Sequence, residues 1–265
     1  MKKTFSYIVL VLIASACSTV MLTGRKQLKV ISDSEMTTMA VQSYESFIGT
    51  SQLSTNQEYI DMVQRVGANI KVAVETYMMQ QGYEDQLELF DWEFNVIESD
   101  EVNAWAMPGG KIVFYTGIMP VCQDDNGVAV VMGHEIAHVL AGHGNERMSQ
   151  EMMAQLGSVV LSESIKQKPE ETQTLFNTAF AIGAQYGALL PYSRLHEREA
   201  DEIGQIIMAM AGYDPVHAIA LWERMEALSG GSAVPEVLST HPSNSTRIAK
   251  MKANLEEARK YYNKQ

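Results

Sequence analysis

The run VAVVMGHEIAHVLAGHG, residues 128–144, constrains this chain more than any other stretch. Positions four apart on a helix share a face, so His134 and His138 can aim imidazole nitrogens at one point, with Glu135 between them. Two hydrogen-bonded core histidines would fit the same spacing. Left uncompensated among Val128, Val130, Val131, Ile136, Val139 and Leu140, however, two imidazoles and a carboxylate cost several kcal/mol to bury. A metal ion removes that cost.

The five residues form an H-E-x-x-H pattern, in which two histidines of one helical turn ligate zinc and the intervening glutamate serves as general base. One zinc ion per chain is expected, with His134 and His138 as ligands and Glu135 as the base. A catalytic site of this kind needs a third protein ligand from elsewhere and an open fourth position.

The first residues, MKKTFSYIVLVLIASAC, combine Lys2 and Lys3 with an apolar run from Phe5 to Ala14 and small residues before Cys17. This is the layout of a secretory signal, and its apolar run is too short to span a bilayer comfortably. Small residues ending on a cysteine resemble the bacterial lipobox, with Ala14 standing where leucine is usual. Residues 1–16 are therefore expected to be a lipoprotein signal peptide, with Cys17 acylated, 17–33 a tether and 34–265 a single zinc metallopeptidase domain. Ser18, in place of a retaining aspartate, points to the outer membrane, facing the periplasm. Cys122 is the only other cysteine, so export brings no internal disulfide once Cys17 carries lipid. The formal charge of −12 argues against nucleic acid and against electrostatic adhesion to anionic lipid. Membrane attachment is expected through the lipid anchor alone.

Helical periodicity predicts one helix from Ser34 to Thr50 and another over 57–80, capped by Asn56. Leu87–Ile97 and Ile112–Tyr115 alternate like strands, separated by the Pro108-Gly109-Gly110 turn. Asn103, Ala104, Trp105 and Ala106 lie between them, either as part of an ordinary hairpin or as an edge able to hold an extended substrate by strand addition. The basic cluster Arg25, Lys26 and Lys29 reads as a solvated arm. Asp124, Asp125 and Asn126 can cap the H-E-x-x-H helix, which is followed by a helix over 145–166 and a surface loop around Pro169. The apolar run over 174–193 reads as a buried or lid-like helix, because Asn177, Gln185 and Pro191 make it a poor membrane span. Further helices are expected over 195–210 and from Tyr213 to Leu228, then a flexible joint at 229–232 and a charged C-terminal helix.

His143 lies one position short of the extended metzincin histidine and reads as a neighbour of the site or a surface residue. The run His196-Glu197-Arg198-Glu199-Ala200-Asp201 is the better source of a third ligand. Glu197 and Asp201 share a helix face, so one carboxylate can bind zinc while the other accepts the outer N–H of a ligand histidine. Taken alone, the same residues would make a solvated acidic face.

Four motifs in consistent order, NAWAMPGGKIVFYTG, GHEIAHVLAGHG, YSRLHEREADEIG and STHPSNSTRI, resemble the HtpX and CAAX prenyl protease type of zinc metallopeptidase. This glutamate-ligand zincin family also contains the mitochondrial overlapping protease and bacterial periplasmic lipoprotein members. The resemblance covers roughly residues 30–260. It implies an α+β, mainly α, zincin-like metalloprotease domain with a small β-sheet packed on the HExxH helix. It also implies His134, His138 and Glu197 as zinc ligands, Glu135 as general base and Asp201 as the orienting carboxylate. His241 would either stabilise the oxyanion or occupy the open metal position in a latent form, and Arg247 would help build the site. The multiple membrane helices of the prenyl proteases and a repeat tail do not match, which argues against prenylated substrates.

The expected activity is zinc-dependent endopeptidase cleavage of misfolded or unassembled envelope proteins. A largely latent envelope assembly or quality-control factor, engaging the outer-membrane assembly machinery, is the main alternative. A hydrolase of cell-wall peptides or other amides would use the same catalytic groups.

Overall fold

The computed structural model describes residues 17–21, 23–184, 190–228, 241 and 245–262. The signal segment 1–16, the 229–232 joint and Pro242 lie outside the described residues, as do 185–189. The fold is α+β and mainly helical. It divides into two compact units, the described parts of which come from Met1–Asp33 with Gly142–His196 and from Ser34–Ala141 with Glu197–Gln265.

In the first unit, strands β1 (Cys17–Thr19) and β2 (Lys26–Leu28) pair antiparallel, with Cys17 opposite Leu28. The residues expected to form a plain tether are thus a hairpin. Arg25 is no solvated arm: its guanidinium donates at 3.0 and 2.7 Å to Glu146, a carboxylate only 1% exposed. The side chains of Asn145 and Ser149 bond the backbone of Ile31 and Val30. The backbone polar groups of this segment are thus satisfied by side chains of a following helix.

The rest of this unit is helical. The chain first passes through α1 (Asp33–Thr50), α2 (Gln57–Gln80), the short α3 (Met119–Cys122) and α4 (Asp125–Leu140), which belong to the second unit, and returns at Gly142, which takes a positive φ of 66°. It then enters α5 (His143–Ile165) and α6 (Glu170–Ala184). The expected loop around Pro169 is short, because α6 begins at Glu170, where Glu170 and Glu171 suit the positive end of the helix dipole. The described part of the run expected to be a buried or lid-like helix is open, with Leu175 67% and Phe176 51% exposed. α6 packs on α5 along one seam, where Gly157 makes room for Phe180 and Ser162 bonds Asn177. One seam covers only one face of this helix, so the apolar side chains on its other faces stay open. Among the described residues no helix is long and apolar enough to cross a membrane.

The second unit holds a three-stranded sheet in the order β3 (Glu93–Ile97), β5 (Lys111–Tyr115), β4 (Ala104–Met107), with β3 parallel and β4 antiparallel to β5. The strand expected over 87–97 starts only at Glu93. Residues Glu84–Leu89 wind into a 3-10 helix, and the sheet register is set where Asp91 and Glu93 donate to Gly109 and Gly110. Aromatic alternation at Phe90, Trp92 and Phe94 gives a stack on one side, with centroids 4.9 and 6.1 Å apart. Asn56 caps α2 through the Tyr59 N–H, and Asp124 caps α4 through Gly127.

α4 is apolar on nearly every side, as a helix packed all round must be. It lies against β4, α2 and α8 (His217–Leu228), while α9 (Ser245–Arg259) packs on α8. The remaining helix, α7 (Leu190–Met210), carries Gly204, and a Cβ built on Gly133 of α4 would stand 2.9 Å from the Gly204 carbonyl oxygen. The two backbones touch there, which only glycine permits.

Gly133→Ala should therefore destabilise the protein by about 1–3 kcal/mol through forced helix separation. Gly49→Ala, on an exposed face of α1 with open space around it, should stabilise by up to about 1 kcal/mol. Urea midpoints at unchanged m-value distinguish the two. A second expectation concerns Glu146: burial raises its pKa, but His196 and Arg25 outweigh that and hold it below 4.5. Its contribution to stability is complete above the ordinary value of 4.5 and is lost as pH falls through the lower folded value. The stability difference between wild type and Glu146→Gln, measured by urea titration, should shrink over that interval.

Candidate metal centre

All the groups of the site belong to the second unit. α4 supplies His134, Glu135 and His138. α7 supplies Glu197 and Asp201 one turn apart, and His241 with Arg247 come from the C-terminal segment. His134 and His138 bring their Nε2 atoms to 3.1 Å from each other. The Glu197 carboxylate stands 3.4 Å from each of those nitrogens. His241 Nδ1 is 3.2 Å from His134 Nε2 and 3.0 Å from both Glu197 oxygens. The four ligand atoms all lie within 4.8 Å of one another.

That spacing suits one cation. Ligand atoms set tetrahedrally about 2.0–2.1 Å from a zinc ion stand roughly 3.3 Å apart, close to the 3.0–3.4 Å between neighbouring ligand atoms here. Crowded imidazole lone pairs and a carboxylate repel unless positive charge lies between them. The donor set of three nitrogens and one carboxylate is the kind that zinc accepts. The group could hold a metal ion with His134, His138, Glu197 and His241 around it.

A second layer fixes this one. His134 Nδ1 faces Asp201 Oδ1 at 3.1 Å, which orients the ring and leaves Nε2 for the centre. Arg247 grips Asp201 with two donors, Nε at 2.8 Å and an Nη at 2.7 Å, and its other Nη lies 3.2 Å from Glu197. It also donates to the His241 carbonyl oxygen at 3.2 Å, tying the C-terminal segment to the same carboxylates. The guanidinium is buried and stacks 3.9 Å from the centre of the Trp222 ring, whose edge also meets His134.

The electrostatics follow from this arrangement. Burial opposes a charge on His134, but Asp201 and Glu197 outweigh it and raise its pKa to about 9. Burial also opposes the Glu197 carboxylate, yet its bonds to His134 and His241 hold its pKa far below the usual carboxylate range. Arg247 is disfavoured by burial and raised overall by Asp201. Glu135 differs, because burial is its dominant influence and pushes its carboxyl up despite His241 and His134. A glutamate raised this way is suited to exchanging a proton. It touches the site only from beside it, with Oε1 3.7 Å from His241 Nε2.

His134, Glu135, His138, Glu197, Asp201, His241 and Arg247 are therefore gathered at one place. Asn103 leads into β4, and Ala104, Trp105 and Ala106 form part of it. β4 is an edge strand of the sheet, and α4 packs against it. Trp105 packs against Tyr44 and Phe47. His143 is outside the metal group and stacks on His196 in the first unit. Trp222 was not foreseeable from its sequence neighbours, since nothing in the local helix pattern marks it as a partner of Arg247. Gly133 and Gly204 carry only a weak signal as interior helix glycines.

Two histidines from one turn, a carboxylate from a second helix and a glutamate held beside them define the site as that of an HExxH-type metallopeptidase fold. The chain belongs to Peptidase family M48, whose family model matches residues 65–255. It is 38% identical over 169 residues to the mitochondrial metalloendopeptidase OMA1 of Schizosaccharomyces pombe, covering 63% of this chain and 48% of the relative. The human metalloendopeptidase OMA1 is 32% identical over 60% of this chain and 31% of its own length. The beta-barrel assembly-enhancing protease of Escherichia coli is 28% identical over 60% of this chain and 33% of its own. The matched region thus spans about half or less of these relatives.

Asp201→Asn should weaken zinc binding about 10- to 100-fold, because the amide neither holds His134 nor satisfies Arg247 as the carboxylate does. Competition with a chromophoric chelator at neutral pH measures it, and circular dichroism checks the fold.

Proposed function

We propose that this chain is a zinc metalloendopeptidase of the bacterial cell envelope that cleaves misfolded or unassembled proteins. The observation that carries this reading is the position of Glu135, buried beside the ligand group and outside it. A purely structural metal site has no use for such a carboxylate. His134, His138 and Glu197 would hold one zinc ion per chain, which would supply Lewis acidity toward a peptide carbonyl and lower the pKa of a water toward neutrality.

Glu135 takes the proton of the attacking water on a carboxylate oxygen and returns it to the departing amine nitrogen. Asp201 keeps the proton of His134 on Nδ1, and Arg247 balances the charge of Asp201 and Glu197. His241 offers a donor for the developing oxyanion once its ring swings clear of Glu197. Residues 103–106, on the edge strand, hold an extended substrate backbone by strand addition. The lipobox-like setting of Cys17 supports anchorage by lipid, on the periplasmic face of the outer membrane.

A second reading rests on one further observation: His241 Nδ1 stands among the other three ligand atoms, at the corner a substrate or water needs. In that reading the chain is a largely latent assembly or quality-control factor that binds outer-membrane proteins and seldom cleaves them.

Cleavage of casein by the zinc-loaded protein tests both. Wild type should cleave, and Glu135→Gln should lose at least about 100-fold in kcat, the lower end of the range for a general base. Activity in His241→Ala with none in wild type would establish latency. Absence of cleavage in all three, with zinc bound, would remove the endopeptidase reading.

A further inference from the structure

The first unit carries a buried charged cluster that the proposed chemistry does not use. Glu146, in the first turn of α5, accepts two bonds from Arg25 and stands 2.9 Å from His196 Nε2. One face of the His196 ring is covered by His143, stacked at 4.2 Å between centroids with 16° between planes. Asn145 and Ser149, flanking Glu146 on α5, bond the chain at Ile31 and Val30. The N-terminal hairpin and the first turns of α5 therefore form a clasp that holds the His196 ring on its edge and on one face.

His196 is the residue immediately before Glu197, within the one continuous helix α7. A helix is stiff over one residue, so an anchor on His196 restricts rotation and fraying of the turn that presents the Glu197 carboxylate. A buried carboxylate joined to both a guanidinium and an imidazole is also specific in geometry, since each donor fixes one lone-pair direction.

We infer that Arg25 and Glu146 are positioning residues for Glu197, and that the N-terminal segment thereby governs how firmly the metal is retained. The inference rests on the reading of His134, His138 and Glu197 as metal ligands. Arg25 does not touch the metal group; it acts through Glu146 and His196. A proteolytic nick or a pull on the N-terminal hairpin would then be felt as metal release.

The test is the rate of zinc transfer from the loaded protein to a chromophoric chelator in excess, well below the melting temperature. Arg25→Met and Glu146→Gln should release zinc at least about tenfold faster than wild type, the lower range for loss of a group that orients a ligand. Arg25→Lys, which keeps the charge but not the two-pronged geometry, should recover part of that loss. Lys26→Gln, which removes an exposed bond to Thr19 within the same hairpin, should leave the rate unchanged. A merely structural clasp would lower the melting temperature of Arg25→Met while leaving zinc release at the wild-type rate, and that result would overturn the inference. Should Glu146→Gln fail to fold, the comparison of Arg25→Met with Arg25→Lys decides it. Failure of the wild-type protein to bind zinc at all would instead remove the metal-centre reading on which the inference stands.

Discussion

The metal centre depends on a contact that contains no metal ligand. Where Gly133 meets Gly204, the α4 and α7 backbones approach more closely than any side chain would allow. His134 follows Gly133 directly, and Asp201 and Glu197 lie one and two turns before Gly204. The crossing therefore sets the distance between the imidazole-bearing helix and the carboxylate-bearing helix. A methyl group at that point would push the two apart and move every ligand distance with it, because packed interiors transmit such shifts rather than absorbing them.

Around that crossing, charge is arranged so that each buried group answers another. Asp201 is shared between His134 and Arg247, and Arg247 is shared among Asp201, Glu197, His241 and the Trp222 ring. Removing one member would strand its partner in a medium of low polarity, which is the costly way to lose a buried pair. Glu135 stands apart from this balance. It is buried, among the described residues it has no ionic partner at hydrogen-bonding distance, and burial raises its pKa.

The first unit obeys the same rule with different residues. Arg25, which reads as part of a solvated basic arm, is drawn in because Glu146 is buried and needs compensation. The opposite surprise occurs on α6, where Leu175 and Phe176 stay open although the run is apolar. Both outcomes reflect the neighbours a segment acquires, and a local sequence pattern carries no information about them.

The sequence by itself determined the elements and the chemistry that lies within one helix. The spacing of His134, Glu135 and His138, the pairing of Glu197 with Asp201, and the caps at Asn56 and Asp124 are local, so periodicity and side-chain type suffice to read them. Family resemblance added His241 and Arg247, whose own surroundings in the chain say little. Only the tertiary structure decided that strand β3 begins at Glu93 rather than Leu87 and that Trp222 backs Arg247. It alone showed that His241 Nδ1 stands within 3.2 Å of His134 and that Glu146 joins Arg25 to His196. The contacts named here join residues from 25 (Trp222 and Arg247) to 121 (Arg25 and Glu146) apart in sequence. They form when helices and strands pack, and no periodicity in the chain encodes which partners will meet.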